Sequence, residues 1–177
     1  MKIEELLRPL LRDVPDFPRP GILFKDITPL LAHHVARKEV VKAIAANFKD
    51  QSIDAVAGVE ARGFIFGSLI AQELSLPFIP IRKAGKLPYK KIVEHYQLEY
   101  AEAAIEMHTD AVTAGMRVLV HDDLLATGGT ASAAGNMIQQ LGGIVAGYSF
   151  VINLSFLPGQ SVLESRFHVN PHYLIRF

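Results

Sequence analysis

Apolar positions recur along this chain with two periods. From Lys38 to Lys49, Val41, Ile44, Ala45 and Phe48 fall at helical spacing and predict an amphipathic helix. The segment RGFIFGSLIAQEL predicts a second, with Phe66, Leu69, Ile70 and Leu74 on one side. The short apolar runs DAVAGVE, LPFIPIRK and MRVLVHDD predict buried strands, the first ending near Glu60. Thr130 to Leu141 fits a helix stopped by Gly142-Gly143. IVAGYSFVINL then reads as a long strand, and HYLIRF as another. IEELLRPLL is a short amphipathic helix interrupted by Pro9, and DVPDFPRPGILFKDITPLL is proline-rich and extended. Lys83 to Tyr96 is basic, holds Gly85 and Pro88, and reads as an exposed loop. QLEY and AAIEMH follow as short alternating segments that suit a hairpin.

Strands alternating with helices predict an α/β fold, a mostly parallel central sheet flanked by helices, in one domain over residues 1–177. Ligands in such sheets sit beyond the C-terminal ends of the strands. Glu60 and Asp122-Asp123 stand at such ends.

Composition narrows the function. Half of the residues are hydrophobic and a fifth charged, as in ordinary globular domains. Lysine plus arginine equals aspartate plus glutamate, which argues against a nucleic-acid partner held by bulk charge. With no cysteine, disulfides and thiolate metal sites are excluded. The first residues carry acids and prolines where a secretion signal needs an apolar core. No apolar run reaches the roughly 18–20 residues of a membrane span. The expectation is a soluble, cytoplasmic protein with no membrane partner.

The stretch HDDLLATGGTAS carries the chemistry. Thr127-Gly128-Gly129-Thr130 lies between a strand and a helix, so its N–H groups and the helix N-terminus can face an anion. Glycines admit phosphate oxygens close to the backbone, and the threonines add hydroxyl donors. Taken alone, the turn is equally well a glycine-rich connection with a threonine cap. Asp122 and Asp123 repel phosphate, so they suit a polyol or a metal. A ribose 5-phosphate satisfies both halves, provided that the strand is ending where the acids stand; otherwise the acids are a solvated or capping pair. No G-x-x-x-x-G-K-[ST] or G-x-G-x-x-G occurs, which leaves Walker-type and dinucleotide sites unsupported.

VLVHDDLLATGGTA resembles the phosphoribosyl-diphosphate (PRPP) motif of type I phosphoribosyltransferases. DFPRPGILFKDITPLL, VEARGFIFG and RKAGKLP…YQLEY are similar to the adenine phosphoribosyltransferases within that class, and the likeness extends from Asp16 to Leu141. The resemblance implies transfer of the phosphoribosyl group of PRPP to adenine, giving AMP and diphosphate in purine salvage. It implies magnesium carried mainly by PRPP rather than by protein ligands, and a homodimer. It also implies an N-terminal hood over residues 1–30 that binds adenine, and a flexible catalytic loop and hairpin over residues 83–107.

Roles follow by residue. Ala126, Thr127, Gly128, Gly129 and Thr130 match the 5-phosphate turn, and Asp122 and Asp123 the ribose acids. Glu60, Ala61 and Arg62 match the diphosphate loop, where a guanidinium suits phosphate. Arg82, Lys83 and Lys86 match cations that help bind diphosphate, although they also read as a solvated basic loop. Leu23, Phe24 and Lys25 match the adenine segment, where recognition runs largely through backbone; Phe24 itself reads as core packing. Glu99 and Tyr100 match the catalytic pair, with the glutamate managing the adenine proton. Lys25 stands where the family commonly has arginine, Ala101 where it has glycine, and His121 where it has an aliphatic residue. His121 reads as a core or supporting histidine, and His33-His34 lack a third metal ligand. The alternatives are a 6-oxopurine phosphoribosyltransferase and a non-enzymatic PRPP-sensing regulator.

Overall fold

The structure, a computed structural model, describes residues 2–98 and 101–177. Its strands are β1 (Arg12–Pro15), β2 (Leu23–Asp26), β3 (Ala55–Val59), β4 (Phe78–Lys83), β5 (Lys91–Leu98), β6 (Ala101–His108), β7 (Arg117–Leu125), β8 (Ile144–Asn153) and β9 (His172–Arg176). Its helices are α1 (Ile3–Leu7), α2 (Thr28–Ala32), α3 (His34–Phe48), α4 (Arg62–Glu73), α5 (Gly129–Gln140) and α6 (Gly159–Phe167). A 3-10 turn, Arg8–Leu10, follows α1 at the proline.

Alternation at period two sorts the central strands onto two faces. Ala55, Ala57 and Val59 of β3 and Val118 and Val120 of β7 pack under α5 and α6, with Ala134, Met137, Leu163 and Phe167. Val56 and Leu119 point the other way, against Val40, Ile44, Phe66 and Ile70 of α3 and α4. Both faces are covered, which is why these strands read as unbroken apolar runs.

The seven-stranded sheet runs β5-β6-β4-β3-β7-β8-β9. The β3–β4, β3–β7, β7–β8 and β8–β9 pairs are parallel, and the β5–β6 hairpin joins β4 antiparallel. The chain leaves β3 for β4 on one side and later returns to β7 on the other. Strand order therefore reverses between β3 and β7, and such a switch point opens a crevice at the strand ends. β1 and β2 form a separate two-stranded ribbon.

Three stretches of the chain differ from the sequence expectation. Lys91–Tyr96 is not loop but most of β5, paired residue by residue with β6 from Lys91↔His108 to Leu98↔Ala101. The loop is confined to the residues between Lys83 and Lys91. The extended proline-rich segment contains β1, β2 and α2. Helix α6 carries no strong pattern, because only Leu163 and Phe167 of its long side chains are buried.

Candidate active site

The acids lie at the switch point, but the strand does not end there. β7 continues to Leu125 alongside β8, while its pairing with β3 stops at Gly58↔His121. The expected strand end is thus the end of the neighbour, and it opens one edge of β7 at the acids. Asp123 is buried, with 2% of its surface exposed, and Asp122 is half-buried. The Asp123 N–H donates to Asp122 Oδ1 at 2.8 Å. Burial pushes the Asp122 carboxyl well above the ordinary range, and the adjacent Asp123 charge adds to the shift. Burial also raises Asp123, opposed by Arg62.

Arg62 opens α4. Its Nε lies 3.0 Å from Asp123 Oδ2, without the alignment of a hydrogen bond, so that buried oxygen keeps an open acceptor. Nη1 donates to the Lys25 carbonyl at 3.3 Å, and the guanidinium sits 4.7 Å from the centre of the Phe24 ring. One side chain thus joins the acid pair to the β1–β2 ribbon. The approach is close: a Cβ on Gly63 would fall 2.9 Å from both Asp122 Oδ1 and the His121 carbonyl.

Ala126 and Thr127 lead from β7 into α5. Gly128 caps that helix at φ 84° in the left-handed region, and Gly129 and Thr130 form its first turn. The Ala126 carbonyl accepts from the Gly159 N–H at 3.0 Å, which ties the turn to α6. Thr130 Oγ1 donates to the Tyr96 hydroxyl at 3.2 Å. A groove of about 420 Å³ runs between the turn, β5, α5 and α6, with Tyr96, Gln97, Thr127, Ser132 and Arg166 in its wall.

Glu60 follows β3 and accepts from Arg82 Nε at 3.1 Å and from the Lys83 N–H at 3.0 Å. The Arg82 hydrogen bond is the main cause that holds its carboxyl below the usual range. Arg82 Nη1 also donates to the Lys86 carbonyl at 2.8 Å. Arg82 is therefore a brace in this structure, whereas Lys83 and Lys86 are exposed. The Glu60–Ala61 peptide is cis.

In the β1–β2 ribbon, Lys25 does not face the crevice. It is 6% exposed, its Nζ lies 2.5 Å from Asp13 Oδ1, and it sits 3.9 Å above the Phe177 ring. Phe24 is half-buried rather than core, edge-on to Phe17 at 5.1 Å. The packing expected of Phe24 is replaced by Arg62 and Phe17, because β2 belongs to the ribbon and not to the main sheet. Leu23 is exposed beside them. His121 is a core histidine. Its Nδ1 lies 2.9 Å from Ser149 Oγ, and burial pushes its pKa down to about 3. Glu99 and Tyr100 lie outside the described residues.

Among the described residues, no group of three or more His, Cys, Asp or Glu side chains could hold a metal. The acid pair offers hard oxygen, the ligand type that a hydrated divalent cation takes. Residues that sequence reasoning missed include Glu106 and Glu94. Glu106 is a buried acid on β6, and Glu94 accepts from Asn136 at 2.6 Å and Gln140 at 2.8 Å. Both sit in alternating polar patterns that look solvated, so no local signal singles them out.

An anion turn and paired acids at the reversal of a mostly parallel sheet define a type I phosphoribosyltransferase, and the phosphoribosyl transferase domain family matches residues 28–152. The adenine phosphoribosyltransferase of Nitrosococcus oceani is 51% identical over 170 residues, covering 96% of this chain and 99% of the relative. The crystal structure of the Rhodothermus marinus adenine phosphoribosyltransferase superposes with a TM-score of 0.93 at 46% identity, covering 99% of this chain and 98% of that one. The Saccharomyces cerevisiae enzyme, solved with an imino-altritol bisphosphate and adenine, gives 0.89 at 36% identity, with 98% of each chain covered. This chain belongs to the adenine phosphoribosyltransferases.

Proposed function

We propose that this chain joins adenine to PRPP in the crevice between β3 and β7, with its residues in the following roles. N9 of adenine attacks the anomeric carbon, the bond to diphosphate breaks, and the N9 proton is lost, giving AMP. The observation that carries the reading is Arg62, which touches both Asp123 and the hood at Phe24 and Lys25. Ribose acids and base-binding backbone are then within one side chain of each other, as a two-substrate displacement requires.

The Ala126–Thr130 turn takes the 5-phosphate through N–H groups and the α5 terminus. Asp122 and Asp123 accept the ribose hydroxyls; the open acceptor on Asp123 Oδ2 supports this role. Arg62, Lys83 and Lys86 neutralise the diphosphate, with Glu60 and Arg82 bracing the loop and Ala61 lending backbone. Leu23, Phe24 and Lys25 present backbone to adenine. Glu99 manages the adenine proton, and Tyr100 closes over it. Magnesium carried by PRPP would supply charge neutralisation on the leaving group, beside Arg62, Lys83 and Lys86. The working form is a cytoplasmic homodimer; no helix among the described residues is long and apolar enough to cross a membrane.

The test is AMP formation from adenine, PRPP and magnesium, beside hypoxanthine and guanine. Adenine is expected to exceed hypoxanthine by about 100-fold or more in kcat/KM, since a site that hydrogen-bonds an amine strands its polar groups against an oxo group. Equal use of the bases would assign the site to the 6-oxopurine class.

A further inference from the structure

We propose that Glu106 is a positioning residue that clamps the backbone on both sides of Lys86 and so aims that ammonium at the diphosphate of PRPP. The proposal rests on the phosphoribosyl-transfer reading and deepens it.

Glu106 lies in β6, opposite Arg82 of β4 and Val93 of β5, and is 3% exposed. A buried carboxylate is costly unless hydrogen bonds replace its water. Among the described residues, every such partner of Glu106 comes from the basic segment after β4. Oε1 accepts from the Gly85 N–H at 2.8 Å and lies 3.0 Å from Lys91 Nζ. Oε2 accepts from the Leu87 N–H at 3.1 Å. The Gly85 hydrogen bond leads the causes that hold this carboxyl below its ordinary value.

Residue 86 lies between the two donors. Its carbonyl accepts from Arg82 Nη1, and Arg82 is held in turn by Glu60. Gly85, at φ 82°, makes the turn, and the buried Leu87 side chain anchors its far side. The backbone of Lys86 is thus fixed before, at and after the residue. Its side chain is exposed and makes no hydrogen bond or ion pair among the described residues. Its charge still reaches Glu60, lowering that carboxyl. The clamp therefore holds one free ammonium beside the loop that follows β3, and two carboxylates set its position without pairing with it.

The experiment compares Glu106→Gln, Lys86→Ala and the double variant by steady-state kinetics, PRPP calorimetry and melting. In Glu106→Gln an amide N–H₂ faces one of the two backbone donors, so one side of the clamp opens. The expected result is a rise in KM and Kd for PRPP of about tenfold, the size of one charge-assisted contact. Adenine KM and kcat should stay within about twofold, and the double variant should be no worse than Lys86→Ala alone. Multiplying effects would show that Glu106 acts independently of Lys86 and would overturn the proposal. A lowered melting temperature with unchanged PRPP constants would overturn it too, leaving a structural acid. Should Glu106→Gln not fold, Gly85→Ala strains the same turn while leaving the carboxylate in place. It should give the same selective rise, and an unchanged PRPP Kd there would defeat the idea. If wild type binds PRPP but makes no AMP, the reaction reading falls, while the PRPP Kd comparison still decides the role of Glu106.

Discussion

Gly128 meets two constraints at once. Its φ of 84° is strained for any L side chain, and a Cβ would lie 3.0 Å from Gly159 Cα and 3.1 Å from the Gly159 carbonyl oxygen. Gly128→Val should weaken PRPP binding by at least about 100-fold, measured by calorimetry on protein whose circular dichroism matches wild type. Near-normal affinity would remove the turn from the site. Asp122 illustrates the opposite balance, a residue kept at a cost to stability. Its folded pKa is raised, so the native state prefers it protonated. That preference favours the fold at acid pH and is lost as pH rises past the ordinary carboxylate range and through the raised value. Asp122→Asn removes the penalty, and its melting temperature at pH 7 should exceed wild type by about 2–4 °C for each ~1 kcal/mol relieved. The two proteins should converge near pH 4, while kcat/KM for PRPP falls at least about tenfold in the variant. A lower melting temperature at pH 7 would show that Asp122 is compensated in the free enzyme.

At the scale of elements, the site depends on how the β5–β6 hairpin is held. Glu94 accepts from Asn136 and Gln140 on α5, the helix capped by Gly128. The Tyr96–Thr130 hydrogen bond makes a second tie near the turn itself. The strands flanking Glu99 and Tyr100 are therefore fastened to the helix that follows the Ala126–Thr130 turn. Glu94→Ala should raise deuterium uptake across β5 and β6 and lower kcat by about 3–10-fold. Global stability should change by no more than ~1–2 kcal/mol, since the two donors lie near solvent and can turn to water. Unchanged exchange in both strands would mean that the β5–β6 ladder holds the hairpin without help. The β1–β2 ribbon has its own fastening, in which Lys25 spans Asp13 and Phe177. Strand β2 is thus locked to Phe177.

Across the whole molecule, two apolar layers sandwich one sheet, and the crevice opens where strand order reverses. The layer under α5 and α6 contains an uncompensated group. Tyr148 is fully buried, stacked parallel to Phe150 and edge-on to Phe167, and its hydroxyl has no hydrogen-bond partner among the described residues. Tyr148→Phe keeps the ring and removes a stranded donor, so stability should rise by up to about 1–3 kcal/mol with AMP synthesis unchanged. Thermal melting and a standard turnover assay decide this. A loss of stability would show that the hydroxyl has a partner in solution, such as a water.

The sequence by itself determined the elements whose signals are local. β3, β7 and β8 were legible because burial on both faces leaves unbroken apolar runs, and α4 because Phe66 and Ile70 keep helical spacing, although Leu69, expected with them, is exposed. The turn at Thr127–Thr130 and the acids before it were legible because one short segment carries strand, turn and helix cap in order. The tertiary structure alone decided what depends on partners distant in the chain. β5 is rich in polar residues, and pairing with β6 makes it a strand. α6 buries too few large side chains to announce itself. The end of β3, not of β7, frees the edge of β7 at the acids. Arg62 reaches back 37 residues to Lys25, and Glu106 reaches 19 and 21 residues to the backbone around Lys86. Periodicity reports which face a residue occupies. It carries no information on which distant donor will satisfy a buried charge, because that is settled only when the layers pack.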